Sequence, residues 1–161
     1  MSKLKLSIVP MAPELVPAYF RGLVDWYAEA LDEQGCGDAD DVHAAACRYY
    51  APYLETGGMP KDSAVFDILV EGEEGPVGAT WCGGTDFGSG PTQFIHDLRI
   101  FPPFRRRGYG REALDTIVHF AREGGRLRGV ALSVLARNTG AAALYASEGF
   151  VPLSQVLIKS F

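Results

Sequence analysis

The stretch Asp97 to Arg111, DLRIFPPFRRRGYGR, decides how the chain is read: an apolar strand runs out, a proline-containing turn follows, and RRRGYG leads directly into a helical pattern at Glu112. Glycines 108 and 110 let the backbone fold tightly enough for several N–H groups to converge where the next helix presents its positive N-terminal end. Arginines 105 to 107 surround that point with permanent positive charge, which suits a pyrophosphate better than a single carboxylate. These residues describe an anion cradle for a phosphorylated ligand. An Arg-x-x-Gly-x-Gly string taken alone also fits a solvated basic turn, so the reading depends on its surroundings.

Downstream, LSVLARNTGAAALYASEGF runs from Leu132 to Phe150 as an alternating strand, an Asn at 138 placed to cap, an alanine-rich helix carrying Tyr145 and a Gly-Phe ending. In this order and at this separation, the two segments resemble motifs A and B of the GNAT superfamily of N-acetyltransferases, which use acetyl-CoA. The likeness covers nearly the whole chain, with its specific part between Phe94 and Phe150. It is similar to a bacterial single-domain subgroup that carries a Tyr-Asp pair where this chain has His96 and Asp97. The resemblance implies an α/β (α+β) GNAT fold in one domain, 1–161. Its mixed central sheet would have about six or seven strands, with about four helices and a splayed parallel strand pair.

Composition fits that expectation. At 161 residues, 47% hydrophobic and with mean hydropathy near zero, the chain suits one domain with an ordinary core. No apolar run approaches the roughly 18 residues that span a bilayer, and MSKLKLSIVP alternates like a strand, so a soluble, cytoplasmic protein without membrane partners is expected. Cys36, Cys47 and Cys82 are widely spaced and lack a CxxC, which points to reduced structural thiols and to no metal site. Residues 1–100 hold 6 Lys and Arg against 16 Asp and Glu, whereas residues 101–161 hold 9 against 4. The basic half suits CoA phosphates and the acidic half a cationic amine, while the net charge of −5 argues against nucleic acid as a ligand.

Along the chain, Leu4–Val9 reads as a strand, and Leu15, Tyr19, Leu23, Trp26 and Ala30 as a helix stripe that Gly35 stops. A second helix follows, capped by Asp38 or Asp40, with Val42, Ala46, Tyr49 and Tyr53 as its apolar stripe and Pro52 limiting or kinking its end. LETGGMPKDS reads as a loop. Ala64–Val70 and Pro76–Cys82 suggest a hairpin, and glycines 83, 84, 88 and 90 a mobile loop before the strand Thr92–Ile100. A helix from Gly108 to about Glu123 and a strand Gly129–Leu135 follow, and Val151–Phe161 can supply a last strand or two.

The resemblance then assigns roles. Backbone groups around Leu98, Arg99 and Ile100 would bond the pantetheine arm in the manner of an added strand. Amides of Arg106, Arg107, Gly108, Tyr109, Gly110 and Arg111 would hold the pyrophosphate, with Arg105 adding charge. Asn138 matches the motif B asparagine that contacts the cofactor, and it also reads as a plain helix cap. Tyr145 matches the tyrosine that protonates the departing thiolate, with aromatic packing as the competing reading. Strand alternation puts His96, Leu98 and Ile100 on one face and Asp97 and Arg99 on the other. His96 is therefore a candidate general base, with a structural histidine as the alternative. Asp25, Tyr27 and Glu29, together with His43 and Tyr49, fall in the region that shapes the acceptor slot in the family. The expected activity is acetyl transfer to a small-molecule or peptide primary amine, and a homodimer through the last strands is compatible with the pattern. The alternative is an acyl-CoA-binding or sensing module without turnover, which only thiol release on addition of an amine would separate from an enzyme.

Overall fold

The computed structural model describes residues 4–33, 38–56, 59–88, 90–157 and 159. Strand β1 (Leu6–Pro10) enters helix α1 (Val16–Glu33) through a 3₁₀ turn at Pro13–Leu15, and helix α2 (Ala39–Thr56) follows. Three strands come next, β2 (Ser63–Val70), β3 (Gly78–Asp86) and β4 (Pro91–Ile100). Helix α3 (Tyr109–Glu123), strand β5 (Gly129–Leu132) and helix α4 (Thr139–Ser147) complete the described elements. The sheet is five-stranded in the order β1-β2-β3-β4-β5; the first three pairings are antiparallel and β4–β5 is parallel.

Both sheet faces are covered, as alternation of apolar residues requires. On one face Phe20, Leu23 and Val24 of α1 and Ala46 and Tyr50 of α2 pack on Val65, Ala79 and Trp81. On the other, Tyr109, Ala113, Leu114 and Ile117 of α3 pack on Ile68, Val77, Cys82 and Ile95, with Leu144 and Tyr145 of α4 alongside. Phe20 and Trp81 meet edge to face at 5.2 Å, and with Tyr53 they form the aromatic centre of the first layer.

Several expectations change. The sheet has five strands among the described residues where six or seven were expected. The tail is the difference: Val151–Leu157 forms no strand and Val156 is 98% exposed. Pro152 offers no ladder donor there, and the apolar alternation of Val151 and Leu153 loses its phase at Val156 and Leu157. Strand β5 stops at Leu132, short of Leu135. Gly83 and Gly84 belong to β3, paired with Phe94 and Gln93, and not to a loop. Asp38 does cap α2, accepting from the Asp41 amide at 3.0 Å, but the helix runs past Pro52 through Leu54–Thr56, which had been read as loop. The buried stripe on α2 is Val42, Ala46 and Tyr50, with Tyr53 partly buried against the same core, whereas Tyr49 is 59% exposed. Leu15, placed on the α1 stripe, is exposed in the 3₁₀ turn. Gly35 and Cys36 lie outside the described residues; Cys47 is a half-buried free thiol and Cys82 a buried one.

The β3–β4 pair is the tightest part of this frame. A Cβ at Gly78 would come within 2.2 Å of the Arg99 carbonyl oxygen, and both are backbone positions in paired strands. Gly78→Ala is therefore expected to cost about 2 kcal/mol through forced strand separation. Chemical denaturation checks this; an unchanged midpoint would show that the strands part there freely.

Candidate functional site

The parallel pair β4–β5 has four rungs, Thr92–Gly129 to Ile95–Leu132, and then β5 ends while β4 continues to Ile100. From His96 to Ile100 the edge of β4 that faced β5 consequently has no strand partner. Below this gap the chain makes a 3₁₀ turn at Pro102–Phe104, passes Arg106 at φ 63° and reaches Gly108 at φ 84°, which caps α3 without a side chain. The left-handed turn at Gly108 is cheap only for glycine. It leaves the amides of residues 106–111 without acceptors among the described residues, as the first turn of a helix does when nothing caps it. A cleft of about 280 Å³ lies between Ile100 and Phe104, the loop from Arg105 to Gly110, and the start of α4 at Gly140, Ala141 and Leu144. Two helix N-termini, those of α3 and α4, thus meet one space.

The basic side chains divide. Arg105 and Arg106 line the cleft, with Arg105 Nε donating to the Ile100 carbonyl at 2.9 Å. Arg107 points elsewhere, because Glu73 in the β2–β3 turn accepts from it at 3.0 Å and from the Tyr109 hydroxyl at 2.8 Å. Arg111 binds Ser147 Oγ at 3.0 Å and the Glu148 carboxylate, tying the start of α3 to the end of α4. Two arginines face the cradle and two lock its walls. The backbone of Tyr109 and Gly110 borders the cleft, and Leu98 is packed in the α3 layer.

A β-bulge changes the face on which His96 lies. Asp97 pairs with Trp81 and Ile95 with Cys82, so His96 is the extra residue and the alternation slips by one. His96 therefore stacks on Trp81 at 4.2 Å and meets Phe94 at 4.9 Å, on the face of α1 and α2, and not with Leu98 and Ile100 as alternation had placed it. Gly83 makes room: a Cβ there would sit 2.9 Å from His96 Nε2. Burial lowers the imidazole pKa below the ordinary 6.5, so the ring is neutral at physiological pH.

Beside it, the Arg99 side chain turns inward to Asp97, its Nε 2.8 Å from Oδ2, and Tyr19 donates to the same oxygen at 2.7 Å. Burial pushes the Asp97 carboxyl up while Arg99 and Tyr19 draw it down; burial and the nearby carboxylate raise the Tyr19 phenol so far that it stays protonated as the donor. Strand alternation placed Asp97 and Arg99 on one face, as found, but their ion pair and the partner Tyr19 on α1 were not read from the sequence.

On the other face, Tyr145 packs in the α3–α4 layer with its ring 5.9 Å from Phe150, and its hydroxyl has no hydrogen-bond partner among the described residues. Burial, with a smaller contribution from Asp97, raises its phenol pKa above 10.0. Asn138 caps α4, its side chain accepting from the Ala141 amide at 3.2 Å, so the cap reading holds. Gly140, Ala141 and Leu144, which line the cleft, had not been singled out, although small residues right after a cap leave a helix start open to a ligand. Asp25 and Glu29 are exposed on α1, Asp25 facing His43 at 3.7 Å, and Tyr27 packs on Tyr49 and Tyr50. None of these three lines the cleft, and Asp25 and Glu29 belong to an acidic outer surface of the helix. Among the described residues no cluster of His, Cys, Asp and Glu could hold a metal ion, and no helix is long and apolar enough to cross a membrane.

This arrangement has relatives. The Bacillus subtilis (strain 168) protein named uncharacterized N-acetyltransferase YycN is 25% identical over 154 residues, spanning 96% of this chain and 97% of its own. The crystal structure of that putative acetyltransferase superposes with a TM-score of 0.85 at 24% identity over 98% of this chain and 99% of the other. An aminoglycoside N-acetyltransferase in complex with CoA shares the fold at a TM-score of 0.58 and 18% identity, over 99% and 96% of the two chains. An aminoglycoside acetyltransferase from an uncultured soil metagenomic sample, in complex with sisomicin, does so at 0.56 and 18%, over 97% and 95%. The model of the acetyltransferase (GNAT) family matches residues 23–150, and with its splayed strand pair and glycine-turned loop the chain belongs to that family.

Proposed function

We propose that the chain, acting as one domain, is an N-acetyltransferase that moves the acetyl group of acetyl-CoA to a primary amine. The observation that carries this reading is the meeting, at one cleft, of the unpaired β4 edge, the acceptor-free amides of residues 106–111 and the start of α4. The pyrophosphate suits the amides and the two arginines that face them, Arg105 and Arg106. The pantetheine arm carries amides of its own and suits the backbone of Leu98, Arg99 and Ile100 as an added strand. Asn138 keeps α4's first turn in place beside it.

The two candidate catalytic side chains lie on opposite faces of the sheet, which fits the chemistry. An amine nitrogen attacks the thioester carbonyl carbon, the C–S bond breaks, one proton leaves the nitrogen and one is delivered to the sulfur. Neutral His96, on the face of α1 and α2, is the base for an amine arriving from that side. Tyr145, on the face of α3 and α4, is the acid for a thiolate leaving on that side, and its raised pKa keeps it protonated. Much of the rate comes from placing amine and thioester together, since well-oriented reactants gain effective molarities of order 10⁵ M or more. The acceptor is a small-molecule or peptide amine, and the acidic surface of α1 that includes Asp25 and Glu29, next to Tyr27, suits a cation on approach.

Calorimetry with acetyl-CoA is expected to show binding that Arg106→Gln weakens by about tenfold, the loss of one charge-assisted phosphate contact. Absence of heat in the wild type removes the cofactor assignment, and heat without thiol release across an amine panel leaves an acyl-CoA-binding module. Tyr145→Phe should lower kcat by at least about tenfold at unchanged acetyl-CoA affinity; full activity would reduce Tyr145 to packing.

The kcat of the wild type at saturating amine should rise with pH along a limb whose midpoint lies below the ordinary imidazole value, because the base acts unprotonated and burial lowers its pKa. His96→Gln should abolish this limb together with most of kcat. A limb that survives belongs to another group.

A further inference from the structure

A buried charged cluster sits beside the bulge, and the acetyl-transfer chemistry gives it nothing to do. The Asp97 side chain is 3% exposed, and its Oδ2 receives hydrogen bonds from Tyr19 at 2.7 Å and Arg99 at 2.8 Å. The main-chain carbonyl of the same residue receives a third, from Thr80 Oγ1 at 2.8 Å. Arg99 is held in turn, with its guanidinium 5.2 Å from the Tyr19 ring and 6.0 Å from the Trp26 ring, and Nη1 3.5 Å from the Gly22 carbonyl of α1.

Burying such a pair is expensive and adds little stability over apolar packing of the same shape; what it does well is select one arrangement. The arrangement here is that of the bulge. Asp97 is the first paired residue after His96, and a bulge leaves its extra residue out of the ladder. With both the carboxylate and the carbonyl of Asp97 fastened, the backbone on that side of His96 has one position, and the ring lies on Trp81. The same fastening sets where β4 runs as it leaves β5, since Arg99 lies within the unpaired edge.

We propose that Tyr19, Asp97 and Arg99 are positioning residues for acetyl transfer: they clamp the bulge to α1 and so hold His96 and the free edge of β4 in register with each other. The inference rests on the acetyl-transfer reading above. None of the three side chains lines the cleft, so their effect on rate passes through His96 and the strand. A shift of about 1 Å in such an arrangement is enough to cost of order 100-fold in rate.

Tyr19→Phe tests the clamp gently, removing one hydroxyl while keeping the ring against Phe20. It should lower kcat by about tenfold or more while raising the acetyl-CoA dissociation constant by a clearly smaller factor, through the β4 edge that the clamp also holds, and Asp97→Asn should go further in the same direction. Arg99→Lys, which keeps the charge but not the planar fork, should retain more kcat than Arg99→Gln. Wild-type kcat in both Tyr19→Phe and Asp97→Asn overturns the inference. So does a loss of kcat matched by an equal loss of acetyl-CoA affinity and of thermal stability, which would make the cluster a part of the core and nothing more. Wild-type protein that binds acetyl-CoA and releases no thiol with any amine fails at an earlier step, and that result removes the acetyl-transfer reading before any variant is compared.

Discussion

A parallel strand pair that stops after four rungs is the constraint from which the rest of this molecule follows. Backbone N–H and C=O groups must find partners, and a strand in the middle of a sheet normally finds them on both sides. When β5 ends at Leu132, β4 carries five more residues with one side open, directly above a loop whose own amides are also open. The layers on either face keep this opening from collapsing. Trp81 and the aromatic rings of α1 and α2 fill one side, and Leu114, Ile117 and Leu144 the other, so the gap is bounded by rigid packing.

The bulge gives that opening two different sides. In an unbroken strand His96 would share the α3 face with Leu98 and Ile100, next to Tyr145. One inserted residue carries it to the α1–α2 face, where Gly83 leaves space for the ring. His96 and Tyr145 therefore stand on opposite faces of the sheet and do not compete for the same volume.

The parts legible in the sequence are those governed by short-range rules. The glycine-turned loop before α3 and the Asn138 cap could be read because backbone sterics and capping act within a few residues, and the parallel pair because a strand-helix-strand order favours a parallel crossover. The rest turned on contacts distant in the chain. The destination of Arg107 depends on Glu73, thirty-four residues away, and the partner of Asp97 is Tyr19, seventy-eight residues away. The face of His96 depends on a register slip opposite Trp81 and Cys82 that no periodicity in residues 91–100 announces. The tail misled for the opposite reason: its apolar residues invite a strand, but Pro152 and a broken phase deny it a regular ladder.

Glu73 has a wider consequence. By accepting from both Arg107 and the Tyr109 hydroxyl, it fastens the glycine loop to the β2–β3 turn. A loop held in this way by the protein's own side chains has less conformational freedom left for a ligand to remove. The latch also withdraws one positive charge from the mouth of the cleft. In the acetyl-CoA reading proposed above, grip then falls to oriented amides, whose dipoles are short in range and fixed in direction, so the shape of a diphosphate would count for more than its total charge.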